Sequence, residues 1–234
     1  MIKKYLRQIR WNRSTGSNYR QLKYYGRWMK SFSPGSSSIA DEQPWLTFEA
    51  MDFISGHIHS SSKVFEYGGG GSTLFFTKLA GETITVEHDA EWFNVLSNKM
   101  KANPDRNWKG KFIPMEKGDL FVPPDPADPS HYSSTHKNSV GVNYRNYASS
   151  IDTYPDGYFD LVLVDGRSRA SCIAHALPKI KRGGYLVLDN SNRDYYLRAF
   201  QTILQTEYKC MVKNTGPCPY VKDFTQTSVW RKIK

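Results

Sequence analysis

The feature that most restricts the fold of this chain is a glycine-rich turn between a strand pattern and a helix pattern. Residues 63–73 read KVFEYGGGGST, an apolar run followed by four glycines and the start of a helical pattern. Glycine has no Cβ, so the backbone of such a turn can approach a ligand closely, and the next helix presents unpaired N–H groups to it. Open α/β sheets bind ligands at this position, outside the carboxyl end of a strand.

Strand and helix patterns alternate after this turn. Strands are predicted at 63–67, 83–87, 111–115, 159–165 and 185–189, and helices are predicted to begin near Ser72, Glu91, Ala170 and Arg193. Two further strands, near 208–213 and 227–233, are separated by a short GPCP turn, which favours antiparallel pairing. The chain is therefore predicted to be an α/β protein with a doubly wound, mostly parallel, Rossmann-like seven-stranded sheet and an antiparallel last strand.

Charge divides the chain into two parts. The net charge is +10, and residues 1–30 hold nine basic side chains and no acidic one, whereas the remainder is nearly neutral. We predict a basic, aromatic N-terminal arm and linker at residues 1–43 and a ligand-binding domain at 44–234. The arm is interpreted first as a solvated extension that packs its aromatic side chains on the body. Contact with an anionic membrane surface, nucleic acid or a polymeric substrate is the alternative.

Residues 121–156 are rich in proline, serine, asparagine and tyrosine, and so long an irregular segment predicts an active-site insertion. The three cysteines, Cys172, Cys210 and Cys218, have spacings that suggest neither a disulfide framework nor a zinc site. No secretory signal or transmembrane run is recognised, which favours a cytoplasmic location, with peripheral membrane contact as an alternative. The sequence does not indicate the oligomeric state.

Two glutamates indicate which ligand the glycine turn binds. Glu66 directly precedes the glycine turn, where a carboxylate would repel a pyrophosphate but attract the ammonium group of a methionine-type ligand. Glu87 ends the second predicted strand, 19 residues after Gly68, where an acidic side chain can accept both ribose hydroxyls. The pair predicts S-adenosylmethionine rather than a dinucleotide.

The order of the elements resembles that of the class I S-adenosylmethionine-dependent methyltransferases over about residues 44–234. Short segments resemble a bacterial group of methyltransferase-like proteins: PWLT at 44–47, FEYG at 65–68, STL at 72–74, VEHD at 86–89, VDGR at 164–167 and LDNS at 188–191. The resemblance implies that Glu66, Gly68 and Gly70 line the methionine part of the cofactor, that Glu87 holds the ribose, and that His88 and Asp119 lie beside the adenine. Tyr67, Ser72, Thr73 and Asp165 complete the predicted cofactor site.

Acidic and amide side chains follow the fourth and fifth predicted strands and are candidates for chemistry or magnesium binding. Asp165, Asp189 and Asn190 are expected at one edge of the sheet, as in the metal-dependent catechol-type O-methyltransferases that this arrangement resembles. The chain departs from that group, because its glycine turn lacks the Gly-Tyr-Ser ending and Ser168 stands where a lysine base is common. Helix capping by Asp189 or Asn190 is therefore favoured over magnesium.

Arg167 and Arg169 either grip an anionic acceptor or form salt bridges. Asp165, Arg167 and Asp189 are the predicted catalytic residues.

The main functional hypothesis is methylation of a hydroxyl or carboxyl group of a small molecule or glycan, with residues 121–156 closing over the acceptor. A nucleic-acid methyltransferase that uses the basic arm is the second hypothesis, although the nearly neutral body and the absence of an Asp-Pro-Pro-Tyr-like motif disfavour it. The third is a binding protein that retains the fold without transfer activity.

Overall fold

The computed structural model describes residues 1–118, 125–135 and 141–234. The strands are β1 (Lys63–Tyr67), β2 (Glu82–Glu87), β3 (Trp108–Phe112), β4 (Glu116–Lys117), β5 (Val142–Asn143), β6 (Phe159–Val164), β7 (Ile180–Asp189), β8 (Tyr208–Val212), β9 (Thr215–Gly216) and β10 (Thr225–Lys232). The α-helices are α1 (Ile2–Trp11), α2 (Tyr25–Lys30), α3 (Phe48–Ser55), α4 (Gly71–Leu79), α5 (Ala90–Lys101), α6 (Arg145–Ser149), α7 (Arg169–Lys179) and α8 (Gln201–Thr206). Short 3-10 segments cover Arg13–Thr15, Tyr19–Tyr24, Pro129–His131, Ser150–Thr153 and Asp194–Phe200.

The central sheet has the strand order β3-β2-β1-β6-β7-β10-β8. Strands β3, β2, β1, β6 and β7 are parallel, whereas β10 runs antiparallel to both β7 and β8. The order reverses at β1, from which the chain builds first toward β3 and later toward β7. The mostly parallel Rossmann-like sheet with an antiparallel last strand is thereby confirmed, and β1 stands at the switch point where such sheets bind ligands.

Strand β3 begins three residues earlier than predicted, at Trp108 instead of Lys111. The indole Nε1 of Trp108 donates a hydrogen bond to Thr85 Oγ1 at 3.1 Å, and its ring packs against the small cluster formed by Leu74, Leu96 and Met100. This anchor places the sheet edge at Trp108. The sequence WKGKF lacks the apolar pattern of a strand, because β3 lies at the edge of the sheet and none of its residues is buried.

Strand β7 is longer than predicted, because it runs through the two glycines that were expected to separate a helix from a strand. Ile180 pairs with Phe159, but Tyr185 pairs with Leu161, so the residues between them form a bulge in the ladder. Gly183 adopts a φ of +85°, a conformation that favours glycine.

The sheet is buried on both faces. One face packs against α6 and α7, with Tyr147, Ile173 and Ala176 among the residues fully removed from solvent. The other face packs against α3 and the N-terminal arm, whose Tyr5 and Trp28 are 0% exposed. The apolar side of the arm is therefore part of the protein core, and its charged side faces solvent. Within the residues that the structure describes, no helix is long and apolar enough to cross a membrane.

Candidate functional site

A cavity of about 790 Å³ opens at the carboxyl edge of the parallel strands. The turn after β1 forms its floor, and residues that follow β2, β6 and β7 form its walls. The lining residues are Ser38, Trp45, residues 68–72 and 87–89, Glu91, Trp92, Val95, residues 165–167, Arg169, Asp189, Asn190, Cys218, Val221 and Thr225. The cavity therefore lies where the strand order predicts a ligand site.

The glycine turn requires glycine because two strand ends approach each other closely. Gly68 has a φ of +90°, and a Cβ on it would lie 2.9 Å from the carbonyl oxygen of Asp165. Gly71 opens α4 directly beneath the linker, and a Cβ there would lie 2.3 Å from the carbonyl oxygens of Ser38 and Gln43. A side chain at either position would displace backbone. The turn thus leaves its backbone open to the cavity.

Glu66 lies beneath the turn and does not line the cavity. Its side chain is 0% exposed, and its carboxylate accepts hydrogen bonds from the hydroxyls of Ser72, Thr73 and Thr85. Burial raises the pKa of Glu66 to about 7, outweighing the three hydroxyl donors that lower it. The expectation of direct contact with a ligand ammonium is therefore not reproduced. Of the three hydroxyl donors, only Ser72 reaches the cavity lining.

Two further predicted cofactor residues also face the interior. Tyr67 is fully buried, and its hydroxyl donates to the carbonyl oxygen of Ala148 at 2.6 Å. Thr73 Oγ1 accepts the N–H of Gly70 at 3.1 Å, which fixes the end of the turn. Both side chains support the turn from behind. A ligand in the cavity would contact neither of them directly, because neither lines it.

Glu87, by contrast, lines the cavity. Its carboxylate accepts the N–H groups of Gly69, His88 and Asp89 at 2.9, 2.7 and 2.9 Å. Burial would raise the pKa of Glu87, but the His88 ring and these backbone donors hold it below its ordinary value. The carboxylate is therefore ionised at neutral pH and still has acceptor capacity for a ligand hydroxyl.

His88 connects Glu87 to Arg167 across the cavity. Its Nδ1 lies 2.7 Å from Glu87 Oε1, and its Nε2 lies 3.2 Å from the donor Nε of Arg167. The ring also packs edge-on to Tyr144 and Tyr147. Because Arg167 donates to Nε2, that nitrogen is the acceptor and Nδ1 carries the ring proton, close to Glu87 but outside hydrogen-bonding geometry. This chain of contacts ties the ends of β2 and β6 together.

Asp165 and Asp189 form an acidic pair beside Arg169. Arg169 Nη2 contacts Asp165 Oδ1 at 2.9 Å, and its Nη1 donates to the backbone oxygen of Asp189. The two carboxyl groups lie within hydrogen-bonding reach of each other, and Asp189 also accepts from Thr227 at 2.8 Å. Burial and the Asp189 carboxylate raise the pKa of Asp165 well above its ordinary value, against the opposing charge of Arg169. Burial likewise raises the pKa of Asp189.

One of the sequence interpretations for these residues differs from the structure. The 3-10 segment after β7 begins at Asp194 without a side-chain cap, so neither Asp189 nor Asn190 caps it. Of the two interpretations of Arg169, the structure shows the salt bridge, because Arg169 pairs with Asp165; the side chain is only 9% exposed and also lines the cavity. In the part of the chain that the structure describes, no three or more histidine, cysteine, aspartate or glutamate side chains are grouped to hold a metal.

Sequence reasoning missed several residues of the cavity wall. Trp92 donates its Nε1–H to the carbonyl oxygen of Gly69 at 2.6 Å and is 37% exposed. Trp45 is 50% exposed and packs edge-on to Tyr220. Trp92 lies three residues after Asp89, the N-cap residue of α5. A helix start at Asp89 therefore could have predicted that Trp92 lies near the glycine turn. Cys218 lines the cavity through tertiary packing, and no local sequence pattern predicts its position there.

The described part of the predicted insertion does not line the cavity. Tyr147, Ala148 and Ile151 are 0% exposed and belong to the core under the sheet. Asp119 and His136 lie outside the described residues. His131 pairs with Asp128 at 3.6 Å on the surface. Closure of residues 121–156 over an acceptor thus stays a prediction.

Several solved structures that align with this chain are methyltransferases. An O-methyltransferase from Bacillus cereus in complex with SAH aligns with a TM-score of 0.56 and 12% identity, covering 100% of both chains. A candidate methyltransferase from Streptococcus mutans in complex with SAH aligns with a TM-score of 0.54 and 13% identity, covering 79% of this chain and 96% of that chain. An rRNA methylase from Streptococcus thermophilus gives 0.54 and 12%, covering 80% and 95%.

No protein-family model and no curated protein matches this chain. The structural likeness at these identities concerns the fold, and the chain has the Rossmann-like fold that these methyltransferases share.

Proposed function

We propose that this protein is an S-adenosylmethionine-dependent methyltransferase that methylates a hydroxyl oxygen of a small molecule or glycan. The observation that carries the proposal is the shared cavity of the open glycine turn and the Glu87 carboxylate, at the switch point of the sheet. Two solved structures with this fold are described as methyltransferase complexes with SAH, the demethylated product of that cofactor.

The residues present fit such a cofactor. Backbone groups of residues 68–72 would hold its amino-acid part, and the ionised Glu87 would accept ribose hydroxyl protons, with His88 next to it. Glu66 would act through Ser72, whose hydroxyl lies between that carboxylate and the cavity. Five acidic and two basic side chains line the cavity, a balance that favours a cationic ligand over a diphosphate.

When bound, the cofactor would supply a methyl group on a positively charged sulfur, so the chain would contribute much of the rate by holding the acceptor oxygen in line. A hydroxyl acceptor would also have to give up one proton, which a residue of the chain would accept. Asp165 is the proposed acceptor of that proton, because its side chain is 23% exposed within the cavity wall and burial raises its pKa well above the ordinary value, which makes the carboxylate a stronger base. Arg169 and Asp189 would position it, and Arg167 faces the same space.

The nucleic-acid alternative is disfavoured by the same charges. Glu87, Asp89 and Glu91 line the cavity and would repel a phosphodiester backbone, and the basic surplus of the chain lies in residues 1–30. A binding protein without transfer activity would retain the cavity but show no turnover.

Calorimetric titration with S-adenosylmethionine and SAH tests the cofactor. We expect the wild type to bind both ligands, and Glu87→Gln to bind them about tenfold to a hundredfold more weakly, since a charged acceptor of the ribose is lost. Turnover is then measured against a panel of hydroxylated small molecules and glycans.

Glu207→Gln is the matched control, because it makes the same chemical change at a residue that does not line the cavity. Melting temperatures of both variants show whether they fold. Absence of binding by the folded wild type would refute the proposal, and unchanged affinity of folded Glu87→Gln would remove that residue from the site.

A further inference from the structure

Helix α1 presents two chemically different faces. Tyr5 and Ile9 point inward and are 0% exposed. Lys3, Arg7 and Trp11 follow one another at intervals of four residues, which places them in one line along the outer side of the helix. Trp11 is 81% exposed, so a large apolar ring stands in water among cations. Tyr5, Tyr24 and Trp28 of the same arm are buried, so the arm packs three of its aromatic rings and leaves Trp11 in solvent.

The outer face continues into the 3-10 segment at Tyr19–Tyr24. Arg10 lies within hydrogen-bonding reach of the Tyr19 hydroxyl, and Arg13 Nη2 contacts the same oxygen at 3.4 Å. Tyr19 is 49% exposed and Leu22 is 39% exposed. Residues three apart in a 3-10 segment lie on one side, so Leu22 stands next to Tyr19. We define the arm face as Lys3, Arg7, Arg10, Trp11, Tyr19 and Leu22.

Within residues 1–118, 125–135 and 141–234, the cations of the arm face have no acidic partners. The ion pairs of the arm are formed elsewhere, by Lys4 with Asp223 at 3.1 Å and by Arg27 with Asp52 at 2.5 Å. Among the residues that the structure describes, no carboxylate forms an ion pair with Lys3, Arg7 or Arg10. The arm face is thus a surface of positive charge with apolar side chains inside it.

We propose that the arm face binds peripherally to a bilayer that contains anionic lipid, independently of the proposed methyl transfer. Lysine and arginine side chains interact with the headgroups of anionic lipids, and tryptophan and tyrosine rings are stable at the membrane–water boundary. Aliphatic Leu22 gains free energy at the acyl boundary and has no equivalent partner on a phosphodiester chain. The mixture of side chains therefore favours lipid over nucleic acid.

Docking through this face would place the bilayer near the cavity. On one flank of α1, Gln8 donates to Asp223 at 3.0 Å and accepts the N–H of Phe224 at 3.1 Å. Val221 and Thr225, on either side of that pair, line the cavity. An acceptor held at a lipid surface would then lie close to the site.

Sedimentation of the full chain with vesicles tests the arm face. Vesicles of phosphatidylcholine with phosphatidylglycerol are expected to retain the wild type, and vesicles of phosphatidylcholine alone to retain much less. The double substitution Arg7→Gln/Arg10→Gln is expected to lower partitioning about fivefold per lost cation, and Trp11→Ala to lower it by about fivefold or more.

Lys99→Gln/Lys101→Gln is the matched control, since it removes two exposed cations from α5 and is expected to bind as the wild type does. Circular dichroism verifies that each variant folds. We expect all of them to fold, because the substituted side chains are exposed. Added salt should weaken the binding. Failure of the wild type to bind the anionic vesicles, or unchanged binding by both arm variants, overturns the proposal. Tighter binding to RNA or duplex DNA, lost in the same variants, would assign the face to nucleic acid.

Discussion

Two acidic sites at the same edge of the sheet, Glu66 alone and the pair Asp165 and Asp189, differ in the groups that surround them. Glu66, at β1, is sealed from the cavity and held by three neutral hydroxyls. Asp165 and Asp189, after β6 and at the end of β7, line the cavity, and Arg169 contacts the Asp165 carboxylate and the Asp189 backbone oxygen. The comparison teaches that position at the strand ends does not by itself make a carboxylate reactive. The hydrogen-bonding partners and the exposure of a carboxylate decide its role. Glu66 therefore supports the turn, whereas the aspartate pair is the site that we propose for proton transfer.

The largest expected effect comes from removing the guanidinium. Arg169→Ala leaves the Asp165 carboxylate without its ion-pair partner and the Asp189 backbone oxygen without its donor, and is expected to lower the free energy of unfolding by about 3 to 5 kcal/mol. Urea denaturation measures the loss. It should be greater at pH 8 than at pH 5, because the raised pKa values allow the pair to be neutralised by protons at the lower pH.

Arg167→Ala is the control for that experiment, since Arg167 contacts His88 and forms no ion pair with the aspartates. A small, pH-independent loss is expected there. Equal losses in the two arginine variants would contradict the distinction between the two acidic sites.

The second effect is the pH dependence that Glu66 imposes. Its pKa is about 7 in the folded protein and 4.5 as the ordinary value, so the folded state binds more protons between these limits. Its contribution to stability is complete below pH 4.5 and is lost as pH rises through 7, by about 3 kcal/mol in all. Unfolding free energies measured from pH 4 to pH 8 give the profile.

Glu66→Gln isolates this contribution, because the amide does not titrate. The free energy of unfolding of the wild type, relative to that of the variant, should decrease as pH rises. Parallel profiles would show that the pKa of Glu66 is the same in the folded and unfolded states, so that its hydroxyl partners balance the effect of burial. Glu87→Gln should have the opposite sign, since the pKa of Glu87 is lowered and its contribution is lost as pH falls.

The smallest effect concerns the hydroxyl between Glu66 and the cavity. Ser72→Ala removes one donor to the Glu66 carboxylate and should lower the free energy of unfolding by about 1 kcal/mol. It should also weaken S-adenosylmethionine binding, measured calorimetrically. Ser55→Ala, which removes a hydroxyl bonded to the Met51 carbonyl oxygen in α3, should lower stability similarly and leave binding unchanged. Unchanged ligand affinity in Ser72→Ala would show that Glu66 has no influence on the cavity.

Much of the fold could be predicted, because apolar runs and glycine turns are local signals. The parallel strands β1, β2 and β6 and the reversed β10 lie where their patterns place them. Strand β3 was misplaced since an edge strand carries little apolar signal. The bulge in β7 was not predicted, because a pair of glycines is compatible either with a break between two elements or with a bulge inside a strand.

The candidate site was predictable at the level of strand ends but not of side-chain direction. Glu66 follows Phe65 and precedes Tyr67, and a period of two does not say which face of β1 meets the hydroxyls of α4. The ion pair of Asp165 with Arg169 spans four residues and was available from spacing, although the start of α7 had to be known first. The placement of Trp45 and Cys218 needed the three-dimensional structure, since neither lies near the turn in sequence.

The contacts of α1 with the segment before β10 set an order on biosynthesis. Gln8 bonds to Asp223 and Phe224, more than two hundred residues later, and Tyr5 packs against Phe224. Helix α1 is translated before these partners, so it cannot dock on them until residue 224 has also been made. The nascent chain therefore carries its basic helix undocked while more than two hundred further residues are added, and during that time the helix is open to other binding partners.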